Sequence, residues 1–201
     1  MVPEIKICGI TNLEDAEVAS SSGASILGVV LSDRSPRKGT PALVGKLSSY
    51  GYKVAGVYTD MDSVKKEATV EEYIQLHFLH GPSEIGYVHD RLGKKTISVV
   101  FPGKNKNFIL EAQDRLLEGT DMVLVDFGRS ITGNDCNKMP DLRGQKIGLA
   151  GRISIENLHE VVNKNPFFLD LSSMLEAHPG KKDHEKVRKF MEVLRNEISA
   201  F

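Results

Sequence analysis

Ile5-Lys6-Ile7-Cys8-Gly9-Ile10-Thr11-Asn12-Leu13-Glu14-Asp15-Ala16 is the stretch on which the reading of this chain turns. It opens as a short strand, with Ile5, Ile7 and Cys8 apolar or small, and changes period within two residues. Thr11 followed by Glu14 has the spacing of a helix capping box, in which a hydroxyl accepts from the third amide and a carboxylate returns to the cap. The spacing predicts a strand ending at Cys8-Gly9 and a helix from about Asn12. Gly9 permits a tight turn and leaves Cys8 uncrowded at the strand's carboxyl end. In parallel sheets, open or closed, that is the end where ligands bind. Cys8 has two readings: a small buried hydrophobe, as unpaired cysteines commonly are, or a reactive group at the working edge of a sheet.

Outward from this stretch the beat repeats. Gly23 suits a left-handed helix end, and Ile26 to Leu31 is apolar on both faces, as a strand covered on both sides should be. Thr40-Pro41 has a cap and a first-turn proline in their preferred places. Lys53 to Tyr58 reads as a strand, Asp62 to Ala68 as a weak helix, Tyr73 to Leu76 as a strand and Pro82 to Arg91 as a helix. Thr96 to Phe101, Asn107 to Leu117 and Met122 to Asp126 continue the alternation. The span 127–143 is polar and shows little helical periodicity. Lys146 to Gly151 is a strand, after which Ser154 is expected to cap a helix carrying Ile155, Leu158, Val161 and Val162. Phe167 to Leu171 is the last strand. Val187, Phe190, Met191, Leu194 and Ile198 form the clearest amphipathic stripe of the chain.

Eight strand–helix units in 201 residues give about 25 residues each, enough for a compact (β/α)₈ TIM barrel in a single domain, 1–201. The alternation implies parallel strands and crossover helices. An open doubly wound sheet is the competing fold. It usually carries G-x-G-x-x-G or a P-loop, and neither is here, since Gly180-Lys181-Lys182 lacks the upstream glycine and following hydroxyl.

Composition narrows the function classes. With 40% apolar and 26% charged residues the chain is an ordinary globule. The 26 basic residues against 27 acidic ones argue against nucleic acid or an anionic membrane as partner. No stretch is apolar over the roughly 18 residues a membrane span needs, and the first residues lack a signal pattern. Cys8 and Cys136 make neither a disulfide framework nor a spaced zinc site. A cytoplasmic location is expected.

In a barrel, chemistry gathers on the loops after strand ends. Those positions hold Cys8, Arg37, Gln75, His77, Asp126, Gly151-Arg152 and Ser172-Ser173. Arg37 could equally be a solvated loop charge, and Asp126 a helix cap or ion-pair partner. His77 and His80 suggest a metal pair, but a third ligand is not evident where zinc needs three or four, so no metal is expected. The loops after the seventh and eighth strands suit a phosphate, held by backbone amides and a helix N-terminus.

Lys6-Ile7-Cys8-Gly9-Ile10-Thr11, Ser35-Pro36-Arg37, Gln75-Leu76-His77, Leu149-Ala150-Gly151 and Leu171-Ser172-Ser173, with Pro179-Gly180-Lys181-Lys182-Asp183 beyond, resemble the phosphoribosylanthranilate isomerase family, in its order and spacing over nearly the whole chain. The resemblance implies a cofactor-free barrel, monomeric or homodimeric. Its reaction would be the Amadori rearrangement of N-(5-phosphoribosyl)anthranilate, a phosphosugar, in tryptophan biosynthesis. It further implies Cys8 as general base, Asp126 as general acid and Arg37 as partner of the anthranilate carboxylate. Gln75, His77, Gly151, Arg152, Ser172 and Ser173 would bind substrate. A thiol near pKa ~8.5 needs help to ionise, and a carboxyl near ~3.9 needs burial to keep its proton. Val125 and Phe127 flank Asp126 with apolar surface, which would supply that burial. The chain departs from the family at Phe127 to Gly133, where Gly-Gly-Thr-Gly is usual, and at Arg152 and Met174, where glycines are usual. Those departures admit a phosphosugar-binding barrel without catalysis. A related isomerase of histidine biosynthesis would carry an aspartate where Cys8 stands.

Overall fold

The structure, a computed structural model, describes residues 2–103 and 107–199. Eight parallel strands, β1 (Glu4–Cys8), β2 (Ile26–Val30), β3 (Val54–Tyr58), β4 (Tyr73–Leu76), β5 (Lys95–Val100), β6 (Met122–Asp126), β7 (Ile147–Ala150) and β8 (Phe168–Leu171), pair in sequence order. β8 then pairs with β1, Lys6 opposite Asp170 and Ile7 opposite Leu171, and the barrel closes. Helices α1 (Leu13–Ser21), α2 (Pro41–Ser49), α3 (Met61–Glu67), α4 (Pro82–Leu92), α5 (Phe108–Leu117), α6 (Gly133–Lys138), α7 (Leu158–Val162) and α8 (His184–Ser199) follow the strands in turn. This is the (β/α)₈ architecture that the strand–helix alternation predicts.

Side chains alternate across each strand, which divides the apolar residues into two bodies. Ile5, Ile7, Leu27, Val29, Ile74, Val123, Val125 and Leu169 face the helical shell, where Val187, Phe190, Met191 and Leu194 of α8 meet them. Ile26, Ala55, Tyr73, Ile97, Val99, Met122, Leu124, Ala150 and Phe168 fill the interior. Phe168 is wholly buried there, and its ring occupies the space beside Gly148 of β7.

Three local expectations fail, the first because a tertiary partner outweighs a short-range one and the other two for reasons local to the chain. Asn12, not Thr11, caps α1: its Oδ1 accepts from the Asp15 amide at 2.8 Å. Asparagine caps as well as threonine, and the Thr11 hydroxyl instead donates to the Gly180 carbonyl at 2.5 Å. Within 127–143 lies α6, capped by Thr132 with Asp135 returning to it. Six residues are too few to show a periodic face. Ser154 does not cap a helix: its amide donates to Asn157 Oδ1 at 2.9 Å, residues 155–157 form a turn, and Ile155 is left exposed ahead of α7.

One feature beyond the eight units is not apparent in the sequence pattern. After β8 a single 3₁₀ turn, Ser173–Leu175, leads into an antiparallel hairpin of β9 (Glu176–His178) and β10 (Lys181–Lys182) before α8 begins. These strands are too short for their alternation to register.

A Cβ added to Gly148 would lie 2.3–2.5 Å from the Phe168 ring, deep inside the barrel where the ring cannot swing aside. Overpacking of this kind costs about 1–3 kcal/mol. Gly148→Ala is expected to lower the urea midpoint of unfolding by that equivalent with an unchanged slope; an unaltered midpoint would show the interior to be looser than described.

Candidate active site

Cys8 on β1, Val30 on β2, Val57 on β3, Gln75 on β4, Asp126 on β6, Ala150 on β7 and Asp170 on β8 share the inward parity at the carboxyl ends of their strands. They line one cavity of about 470 Å³. His77, Arg37, Gly151, Arg152, Ser172 and Ser173 complete its wall, so every site residue predicted from the sequence reaches the same space.

Cys8 is half-buried at the mouth. Its backbone carbonyl accepts from the Ser172 hydroxyl at 3.2 Å, which ties the end of β1 to the end of β8. Gly9 turns the chain away at φ 80°. Burial pushes the Cys8 thiol above its ordinary range, against the pull of Lys6 and Lys182 and with the push of Asp170. Lys6 lies two residues back on the same strand face, wholly buried, its Nζ 2.9 Å from each oxygen of Asp170. Burial works against its charge, but Asp170 and Cys8 outweigh that and hold the ammonium above the usual lysine range.

Asp126 is placed differently from the expectation. Val125 is fully buried and faces the shell, and Phe127 packs edge-on against Phe108 at 5.5 Å. Neighbours along a strand point to opposite faces, so neither covers the carboxylate, which is 21% exposed in the mouth. Its Oδ1 accepts from the Gly128 amide at 2.8 Å, and its Oδ2 is 3.8 Å from Nε2 of His77. Burial holds His77 below the usual histidine range, against the attraction of Asp126 and Asp170, so its ring is neutral at neutral pH. Gln75 Nε2 lies 3.4 Å from Nδ1 of that ring, while Gln75 Oε1 is buried with no hydrogen-bond partner among the described residues.

The far side of the mouth is built from backbone. Gly151 sits at φ 147°, and a Cβ there would lie 2.7 Å from the Arg129 carbonyl oxygen and 2.8 Å from Ile131 Cγ1, so only glycine fits. Arg152 follows at φ 42°, a left-handed conformation that strains a residue with a side chain. Its guanidinium makes no ion pair among the described residues. The unusual loop after β6 is braced internally: Arg129 grips Asp135 with bonds of 2.7 and 2.8 Å. Arg37 is likewise engaged. Its Nε and Nη2 bond the Glu176 carboxylate at 2.8 Å, and Lys182 reaches the same group at 3.2 Å. Burial works against that carboxylate's charge, but the two cations hold it below the usual range.

His77 and His80 do not converge. His80 is buried, its Nε2 2.8 Å from Ser98 Oγ and its Nδ1 2.7 Å from the Phe78 carbonyl, while His77 lines the cavity. Among the described residues the metal-type ligands that do gather are Glu14, Asp15 and His184. Lys181 already answers that charge, 2.9 Å from Glu14 and 2.8 Å from Asp15. Lys6, Asp170, Glu176 and Lys182 are charged residues at the site that sequence reasoning missed. Parity could have found the first two, each being two residues before a recognised position. Glu176 and Lys182 required the hairpin.

The family model that describes N-(5'-phosphoribosyl)anthranilate (PRA) isomerase matches residues 5–193. A curated relative of that name from Thermoplasma volcanium is 37% identical over 195 residues, 96% of each chain. Among solved structures, phosphoribosyl anthranilate isomerase from Thermotoga maritima superposes with a TM-score of 0.80 at 26% identity, over 96% of this chain and 99% of that one. A structure of the same enzyme in complex with reduced 1-(o-carboxyphenylamino)-1-deoxyribulose 5-phosphate gives 0.74 at 26% identity, over 96% and 99%.

The raised thiol fixes how Cys8 reacts. Only the thiolate is nucleophilic, so alkylation by iodoacetamide, followed by peptide mass spectrometry, should be slow at neutral pH. It should climb to its plateau only above the ordinary thiol value of about 8.5. A plateau already reached at neutral pH would contradict the environment described for Cys8.

Proposed function

The chain belongs to the N-(5'-phosphoribosyl)anthranilate isomerase family, and on that premise we propose that Cys8 is its general base and Asp126 its general acid. The activity is that of the family, the Amadori rearrangement of N-(5-phosphoribosyl)anthranilate to 1-(2-carboxyphenylamino)-1-deoxyribulose 5-phosphate in tryptophan biosynthesis. We place it in the cytoplasm, as a monomer or homodimer.

The reaction needs a proton delivered at the ring oxygen and one removed at C2, followed by ketonisation of the enol. A proton delivered to the ribose ring oxygen opens the ring and leaves a C1 iminium. Removal of the C2 proton then gives an enol conjugated to nitrogen, which settles as the ketone when C1 is reprotonated. No atom is gained or lost. The observation that carries the assignment is positional: Cys8 and Asp126 stand three strands apart round the barrel and open on one cavity. A sugar lying between them meets an acid on one flank and a base on the other, as general acid–base catalysis requires. The Gly128 amide fixes Oδ1 of Asp126, so that the carboxyl group is held in one orientation at the cavity wall. Gln75 Oε1 is an acceptor suited to a sugar hydroxyl or the anilino N–H.

The phosphate is assigned to the backbone of Gly151-Arg152 and Ser172-Ser173. Gly151 and Arg152 line the mouth there, and Arg152 adds a charge where the family commonly has glycine. The anthranilate carboxylate is assigned to Arg37, through the Nη1 that Glu176 does not bond. A time course of purified protein with freshly made substrate, following loss of its fluorescence, separates an enzyme from a barrel that only binds.

Cys8→Ala and Asp126→Asn are each expected to lower kcat by roughly 10²–10⁴, the usual yield of a general acid or base, with unfolding midpoints little changed; a variant within a few-fold of the parent would remove that residue from the chemistry. Arg37 grips a group that does not change during the rearrangement, so its loss should raise KM and leave kcat nearly intact. Charge-assisted bonds of about 1.5–3 kcal/mol put the rise for Arg37→Ala at roughly 10- to 150-fold. Arg37→Lys should recover part of it, lacking the planar fork. A collapsed kcat at unchanged KM would reverse the substrate in the barrel.

A further inference from the structure

Lys6 is absent from the cavity wall, yet it is built into the setting of Cys8. The two share the inward face of β1, and opposite Cys8 on β2 stands Gly28. The point where a Gly28 Cβ would sit is 3.0 Å from Cys8 Sγ and 3.0 Å from Lys6 Nζ. Glycine at that position therefore lets thiol and ammonium crowd onto one spot of the barrel interior, where any side chain would displace one or both. A buried ion pair is a poor source of stability, since apolar residues of similar volume often do as well or better. Lys6–Asp170 is such a pair, at 0% and 7% side-chain exposure, so stability alone is a weak reason for it.

We propose that Lys6, gripped by Asp170, is a positioning residue whose ammonium steadies the Cys8 thiolate that takes the substrate's C2 proton. The inference rests on the assignment of Cys8 as base. Asp170 keeps Lys6 charged in the barrel interior and also opposes the thiolate, so it sets how much of the ammonium's field Cys8 receives. The other charged groups facing Cys8 are arranged less directly. Lys182 on β10 and Arg37 from the loop after β2 both bond Glu176 on β9. His77 and Asp126 stand across the mouth. Of the cations, Lys6 acts most strongly on the thiol and Lys182 less.

Lys6→Met and Lys6→Gln test the idea by removing the ammonium, the first with an apolar and the second with a polar replacement. The readout is the pH profile of Cys8 alkylation by iodoacetamide in the substrate-free protein, so it does not depend on turnover. Removing the ammonium should push the half-maximal pH upward by about a unit, slowing alkylation at neutral pH about tenfold. Lys6→Gln should move it upward as well, since its amide donates a hydrogen bond without a charge. The acid limb of kcat/KM in Lys6→Met should rise in step with alkylation. A profile unmoved in both variants, or a downward shift in either, would mean that the pair is a structural brace and overturn the proposal. If Lys6→Met does not fold, Lys6→Gln decides alone: an upward shift supports the inference, and an unmoved or downward one defeats it. Failure of the catalytic reading is told apart by Cys8→Ala: retained turnover there would dismiss Cys8 as base whatever the alkylation profiles show.

Discussion

Closure of β8 onto β1 is the constraint on which the rest of this structure depends. Four residues of β1 register against four of β8, and along that seam the ends of the chain exchange their polar contacts. Lys6 meets Asp170, Ser172 anchors the Cys8 carbonyl, Thr11 reaches Gly180, and Asp15 accepts from the Lys182 amide at 2.9 Å. Each contact joins positions more than 160 residues apart. The strands supply the framework, while the seam fixes where the thiol stands and which charges surround it.

The charges of the site are answered in pairs on both sides of the thiol. Lys6 is balanced by Asp170, and Glu176 by Arg37 and Lys182. A mouth lined with unanswered cations would grip a phosphosugar tightly in its ground state, which lowers KM without raising kcat. Pairing moderates that pull and leaves Arg152 as an exposed guanidinium on the side proposed for the phosphate. The cost is local, since Arg152 holds a backbone conformation better suited to glycine.

Much of this was legible in the sequence, and the reasons are specific. The apolar runs of β2 and β3 are buried along their full length, so continuous hydrophobicity marked them as doubly covered strands. The stripe on α8 is long enough for its period to show, whereas α6 is not. Strand-end positions pointed to the cavity because inward parity and the carboxyl edge are properties of a strand alone. Flanking residues misled at Asp126: Val125 and Phe127 are neighbours in sequence but lie on the opposite face. Lys6 was passed over since a lysine between two isoleucines reads as a solvent-facing residue of an alternating strand. Only a closed barrel has a second interior in which such a side chain can be buried.

The seam also governs the order in which this protein can come into being. A chain elongating from its amino end exposes Lys6 and Cys8 to solvent first and meets Asp170 only 164 positions later. Until then Lys6 has no counter-charge, and enclosing it would carry the several-kcal/mol penalty of an unpaired buried ion. The first seven strands are thereby discouraged from collapsing into a smaller, prematurely sealed cylinder. Contacts of such high sequence separation also slow folding, because the loop must close before they return any free energy. Enclosing the basic residue that attends the thiol is therefore costly until the last strand arrives.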